Sequence, residues 1–368
     1  MLFNSARVLF RIWIVLIFAA AFSLHVYGQE TGKEMYDSAC SACHGTDGKG
    51  KAPAVVGFDI PLPDFTDCSF ASRETDDDWL AIIHEGGPTR AFDSMMPSFG
   101  EALKQDEMRT ILGHVRTFCK DSTWPRGELN LPRALVTEKA FPEDESVLSI
   151  LAPIEGLSAV LSELIYERRF GSRNQIEFAV PFALQERAPG SWVGGVGDIQ
   201  LSLKRTVFHS FKSGSILSLA GEVTLPTGNR NVGLGDGLTV FEPFVAFGQM
   251  LPSASFVQFQ GGLELPADRS HDDEAFWRTA VGKTVMQGGF GRSWTPMIEL
   301  LGARELVAGA KNEWHVVPQI QISLSRRQHI LLNAGFRVPV TEREVRNTEF
   351  MMYLLWDWFD GGLFSGWK

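Results

Sequence analysis

The chain has 368 residues, long enough for two domains, and carries 44 acidic against 34 basic side chains for a net charge of -10. With a pI near 5.4 and no basic stripe, nucleic acid is excluded as an expected partner. The acidity is uneven, since 17 acidic and 9 basic residues fall between Gln29 and Trp124.

At the start of the chain, Arg7 and Arg11 flank an apolar run at 12–22, and small residues end the segment near Gly28. This pattern predicts a signal peptide over 1–28, cleaved before Gln29. The alternative is an uncleaved anchor, but the run is well short of the roughly 20 apolar residues that span a bilayer. An exported chain is the context in which the next motif makes sense. Cys40-Ser41-Ala42-Cys43-His44 is the C-x-x-C-H signature of covalent c-type haem attachment. Two thiols three residues apart add to the two vinyl groups of one haem, and the adjacent histidine becomes its proximal iron ligand. One covalently attached haem c is expected on Cys40, Cys43 and His44. Cys68 and Cys119 are the remaining cysteines, and in an oxidising compartment they are expected to pair.

Beyond the motif come a glycine-rich turn, Gly45-Thr46-Asp47-Gly48, then a helix expected at 75–85 with Asp76, Asp77 and Asp78 in its first turn, and a last helix at 105–118. Met108, Ile111, Leu112, Val115 and Phe118 form the apolar stripe of that last helix. With a first helix at 33–43, this order resembles a class I cytochrome c domain over residues 30–120. The resemblance implies a role for Ser94-Met95-Met96-Pro97-Ser98-Phe99-Gly100, which looks like the methionine-proline loop carrying the family's sixth iron ligand. Met96, directly before Pro97, is the expected ligand, with Met95 as the alternative and His84 or His114 as bis-histidine candidates. Methionine sulfur suits low-spin iron and raises the reduction potential relative to a second histidine. With both axial positions filled by protein, the domain is expected to carry electrons, not to act as an enzyme, although a subunit role in a redox enzyme stays open. Its acidity would steer a basic redox donor or acceptor over long range, or simply keep the surface solvated.

A stretch at 123–145 with Pro125, Pro132 and Pro142 reads as a linker containing a possible first strand at 131–139. From 146 to the end the hydrophobic period is two. Ile176, Phe178, Val180 and Phe182 alternate with Gln175, Glu177, Ala179 and Pro181, and the pattern recurs through Val316, Ile320 and Ile322 to Phe350, Met352 and Leu354. Segments of about 10 residues match tilted transmembrane strands. Glu177, Glu222, Glu242, Glu264, Glu299, Arg278 and Arg337 would face a polar lumen, while Trp277, Trp294, Trp314, Trp356 and Trp358 would suit interfacial girdles. A soluble β-sandwich is the alternative.

Three runs carry a second resemblance: Tyr166-Glu167-Arg168 through Val180-Pro181, Gly195-Val196-Gly197-Asp198-Ile199-Gln200-Leu201, and Gly221-Glu222-Val223-Thr224-Leu225-Pro226-Thr227-Gly228. They resemble the outer-membrane barrel family associated with phenol-degradation meta-cleavage pathways, whose members are treated as transporters or porin-like proteins. The expected architecture is therefore two-domain: an all-α cytochrome c fold at 29–122, then an all-β antiparallel barrel of roughly 12 strands at 146–368. Its expected place is the outer membrane of a Gram-negative bacterium, with the cytochrome in the periplasm. The expected partners are redox proteins, outer-membrane lipid and, if the lumen conducts, small solutes. The leading functional expectation is a tethered single-electron carrier. The alternatives are a porin or transporter with an accessory cytochrome, and a soluble periplasmic cytochrome with a sandwich module.

Overall fold

The computed structural model describes residues 31–344 and 346–357; the expected signal peptide and Trp358 lie outside them. Thr31 starts α1 (Gly32–Ala39) through a capping box, donating its backbone N–H to Glu34 Oε2 at 2.8 Å while its hydroxyl accepts from Glu34 N. There follow α2 (Ser41–His44), α3 (Pro53–Val56), α4 (Cys68–Ala71), α5 (Asp76–Glu85) and α6 (Gln105–Val115). The helix expected at 33–43 is interrupted at Cys40, a turn residue at φ -116° and ψ -32° between the two helical pieces. Extended loops at 57–67 and 91–104 separate the helices, so the domain is a set of mostly short helices joined by long coil.

α1 crosses α6 at Gly32, where a Cβ would lie 2.3 Å from the Thr110 carbonyl oxygen. Only a glycine lets the two backbones approach that closely. Tyr36, Leu80, Met108, Ile111, Leu112 and Val115 are buried together at this crossing with Met35 and Phe65. Cys68 and Cys119 form a disulfide with Cα atoms 5.0 Å apart. Closing a loop of that length contributes roughly 2 to 4 kcal/mol.

The second part is a closed ring of twelve antiparallel strands. They are β1 (Glu145–Pro153), β2 (Ala159–Phe170), β3 (Asn174–Ala188), β4 in two pieces (Ser191–Val196 and Ile199–Ser210), β5 (Ser215–Leu225) and β6 (Val240–Leu251). β7 (Ser255–Pro266), β8 (Glu274–Lys283, continued by Val285–Met286), β9 (Ser293–Glu305), β10 (Glu313–Ser323), β11 (Ile330–Pro339) and β12 (Glu349–Asp357) complete it. β12 pairs back onto β1, from Glu145 opposite Asp357 to Pro153 opposite Glu349, and this closure removes the sandwich alternative. One end of the ring is closed by the tight turns 171–173, 211–214, 252–254, 287–292 and 324–329, whereas the other carries longer loops such as 226–239 and 340–348.

Alternation along each strand sorts the side chains. Leu148, Leu164, Ile176, Leu203, Leu219, Phe241, Leu263, Val281, Ile298, Ile320, Phe336 and Leu354, one per strand, are exposed on the outside. The intervening residues, including Glu167, Gln175, Lys204, Gln258, Gln260, Glu299, Gln319 and Asn333, are buried inside. Trp277 and Trp314 meet edge to face at 5.4 Å near the long-loop end, and Trp294 and Trp356 lie toward the tight-turn end, as two girdles would.

The linker corrects one expectation. Residues 131–139 form no strand. The chain runs into the barrel, and its backbone N–H groups are taken by lumen side chains instead of by a neighbouring strand.

Candidate functional site

Cys40 closes α1 and opens α2, so the attachment motif sits where the first helix breaks. Cys40 and Cys43 are free thiols, each half-buried. Burial, followed by the neighbouring Cys43, pushes the Cys40 thiol up to about 11. Burial also lowers the His44 pKa and keeps its imidazole neutral, the form that binds metal. The His44 ring stacks on Phe65 at 4.9 Å, and its Nδ1 is buried with no hydrogen-bond partner. Elsewhere in the same domain apolar side chains stand uncovered: Val55 is 68% and Met95 49% exposed. Two paired thiols, a neutral imidazole with an unsatisfied nitrogen and bare apolar surface form a donor set that fits a covalently bound haem.

Met96 comes from a separate loop, placed by the end of α5. Gly87 N donates to the Met96 carbonyl at 3.0 Å, Ser98 Oγ to the His84 carbonyl at 2.6 Å, and Phe99 N to the Ile83 carbonyl at 2.9 Å. The loop lies so close that a Cβ on Gly87 would fall 2.1 Å from the Asp93 carbonyl oxygen and 3.3 Å from the Met96 Cβ. Met96 is half-buried and Met95 more exposed. The histidine alternatives are engaged elsewhere: His84 with Glu85 and the Phe290 ring, His114 with the Tyr36 and Phe118 rings.

The helical domain is seated on the tight-turn end of the barrel. Arg90, buried, donates to Asp78 Oδ1 at 2.9 Å and to the Phe290 carbonyl at 2.7 Å. His329 meets Glu74 at 2.8 Å, Arg73 meets Asp144 at 2.7 Å, and Arg173 donates to the Thr123 carbonyl at 3.1 Å. Asp76 gathers Arg116 at 2.9 Å and Arg126 at 2.7 Å. Burial pushes the Asp76 carboxyl up, but the two guanidiniums outweigh it and hold the group below its ordinary 3.8. A depressed folded-state pKa stabilises above the unfolded value and is lost as the pH falls through the folded one. Asp76→Asn is therefore expected to cost about 2 kcal/mol of helical-domain stability at pH 7. Thermal unfolding across pH should show the gap to the native protein closing below about pH 4; a gap that persists there would refute this role.

Inside the barrel, residues 127–144 fill the lumen next to the helical domain. Glu299, wholly buried, accepts from Leu135 N at 3.0 Å, Val136 N at 3.1 Å and Thr137 N at 2.7 Å, and also from the Thr137 hydroxyl and Gln319. Gln260 accepts from Glu138 N at 3.0 Å. Arg133 binds Glu145 at 2.9 Å, Glu138 at 3.1 Å and Glu167 at 2.5 Å, while its carbonyl accepts from Tyr353, Gln321 and Asn333. Lys139 joins Glu143 and Glu145. Leu129 and Phe141 pack on Ile216, Phe244 and Phe276, and Leu131 and Ala134 pack on Phe256 and Met297. Polar and apolar faces of the segment are both matched, so it is a built plug.

The sequence motifs marked Cys40, Cys43, His44 and Met96 but neither the Gly86-Gly87 platform under the Met96 loop nor the plug contacts. Adjacent glycines before Pro88 are a legible turn signal. Nothing local marks Glu299 as a plug anchor.

The fold and site define a class: a cytochrome c-type domain fused to a twelve-stranded antiparallel barrel that its own linker plugs. Residues 28–115 match the family model described as cytochrome C oxidase, cbb3-type, subunit III, a match that ends before the barrel begins. No curated protein matches the chain. Among solved structures, the chain is similar to an outer membrane channel from Pseudomonas putida F1, at 14% identity over 59% of this chain and 96% of that one, with a TM-score of 0.42. It is also similar to the NanC porin, at 8% identity over 58% and 98% with a TM-score of 0.41, and to the KdgM porin, at 7% identity over 58% and 99% with a TM-score of 0.37. The chain's own strand register and closure define the barrel.

Proposed function

We propose that this chain is a monohaem c-type cytochrome tethered at the outer membrane, carrying single electrons in the periplasm. The observation that carries this reading is that the domain bearing Cys40, Cys43 and His44 packs on the tight-turn end of a barrel whose lumen is filled by its own chain. A plugged barrel serves as an anchor. Short turns are the periplasmic feature of such barrels, which supports a periplasmic position for the cytochrome, the side where c-type haem is attached. The apolar belt on all twelve strands supports lipid contact, since leaving a dozen large side chains in water would cost about 1.5 to 3 kcal/mol each.

Cys40 and Cys43 would hold the haem through thioether bonds, and His44 and Met96 would bind its iron. The haem supplies a one-electron Fe(II)/Fe(III) couple. The protein orients the imidazole against Phe65 and holds the Met96 loop on Gly87, which supports a carrier role in which no substrate bond is broken. Fixing the domain at the membrane raises its effective concentration toward other membrane-bound redox proteins. Its net negative charge favours a basic donor or acceptor. The plug disfavours a permanently open porin.

The test is to express the chain in a host that matures c-type haem, separate inner and outer membranes, and record reduced-minus-oxidised spectra. A c-type α-band in the detergent extract of the outer membrane is expected. A soluble periplasmic haem protein would remove the tether, and covalent haem in no fraction would remove the cytochrome.

A further inference from the structure

The barrel does more than hold the cytochrome in place. Two of its tight turns grip the haem domain at the root of the Met96 loop. The turn 287–292 presents Phe290, whose carbonyl accepts from Arg90 at 2.7 Å and whose ring packs against His84 at 5.2 Å and onto the domain's buried core. The turn 324–329 presents Arg327, which donates to the Ala91 carbonyl at 3.3 Å and lies 4.4 Å over the Phe92 ring. From the same turn, Gln328 reaches Asp78, which also holds Arg90. Residues 87–92 are thus held from the barrel side, and they are the segment on which the loop rests: Phe92 N donates to the Gly87 carbonyl at 3.0 Å and Gly87 N to the Met96 carbonyl at 3.0 Å. Ala91, in the left-handed region at φ 55°, shows that this segment is kept in an unfavourable conformation. An open cleft of about 720 Å³, lined by His84, Gly100, Leu103, Met108 and Phe290 among others, adjoins the Phe290 contact.

We propose that Phe290 and Arg327 are positioning residues through which the assembled barrel stabilises Met96 ligation, so that the cytochrome reaches its full six-coordinate state only when seated on the barrel. This rests on Met96 being the sixth ligand, and it gives the fusion of the two domains a consequence for the iron. A loop held by contacts with another element opens more often when those contacts go, because local stability follows local packing.

The experiment uses the full-length haem-loaded protein in detergent and compares the native chain with Phe290→Ala, Arg327→Ala and the double variant. Lys212→Ala, in another turn of the same end, is the control. Three signals are read: the near-infrared sulfur-to-iron band of the oxidised form, carbon monoxide binding to the reduced form, and the heat-modifiable gel mobility of the folded barrel. The expected result is a weakened band and about a tenfold faster carbon monoxide reaction in the double variant, with Phe290→Leu close to native and Lys212→Ala unchanged. Tenfold corresponds to about 1.4 kcal/mol of lost loop stability. A double variant with a folded barrel and native band and carbon monoxide kinetics would overturn the proposal. A native protein that lacks the band would overturn both the methionine ligation and the proposal, and it is recognisable without any variant.

Discussion

Replacing Glu299 by alanine is expected to open the barrel. In planar bilayers the native protein should conduct poorly, and Glu299→Ala should raise single-channel conductance at least about tenfold. The reason is local. One carboxylate satisfies the backbone N–H groups of Leu135, Val136 and Thr137 and the Thr137 hydroxyl, and only Leu135 has a second acceptor, Gln319. Its removal leaves buried donors unpaired at about 1 to 3 kcal/mol each, which loosens the plug at 135–137 while the Arg133 and Lys139 ion pairs and the apolar contacts remain. The ring does not depend on Glu299, because β9 is held by backbone pairing to β8 and β10. Glu299→Gln keeps one acceptor oxygen and should conduct at an intermediate level. Equal conductance of native protein and Glu299→Ala, with the barrel folded in both, would show that the plug is not anchored there. A native protein conducting like an empty barrel of this size would show that the lumen is open in solution and would favour the porin reading.

The second large effect concerns the attachment motif. Cys40→Ala combined with Cys43→Ala should abolish covalent haem, leaving no haem-stained band after denaturing electrophoresis, while the barrel still reaches the outer membrane. The two parts are separable because the clusters inside the barrel draw on the plug and strands alone, whereas the helical core draws on α1, α5 and α6 with Phe290 as the barrel's contribution. Single substitutions should retain haem through one thioether with a shifted α-band. Covalent haem surviving in the double variant would place the attachment elsewhere, and loss of the barrel from the membrane would show that assembly needs the haem domain.

Much of this architecture is legible from local pattern. Cys40, Cys43 and His44 are marked by spacing alone, since covalent attachment needs two thiols and an imidazole at fixed separation on one short segment. α5 and α6 follow from Thr75 with its run of aspartates and from the stripe Met108, Ile111, Leu112 and Val115. The strands follow from strict alternation, which survives because every strand meets apolar surroundings on one face and polar ones on the other. About 20 residues per strand and turn lead to twelve strands, the number in the ring.

The linker shows where local pattern misleads. Leu131, Arg133, Leu135, Thr137 and Lys139 sit at a period of two and read as a strand, yet the segment pairs with no strand. Its partners Glu299, Gln319, Gln260, Gln258 and Tyr353 lie between 122 and 220 residues away in sequence and meet it only once the ring has closed. The grip of Phe290 and Arg327 on the helical domain is of the same kind, joining residues about 200 positions apart. By itself the sequence determined the haem motif, the change from helical to alternating period and the strand count, because each depends on neighbours a few residues apart. Only the tertiary structure decided that the linker is a plug and that barrel turns reach the segment at 87–92 on which the methionine loop rests, because both depend on side chains brought together by closure of the ring.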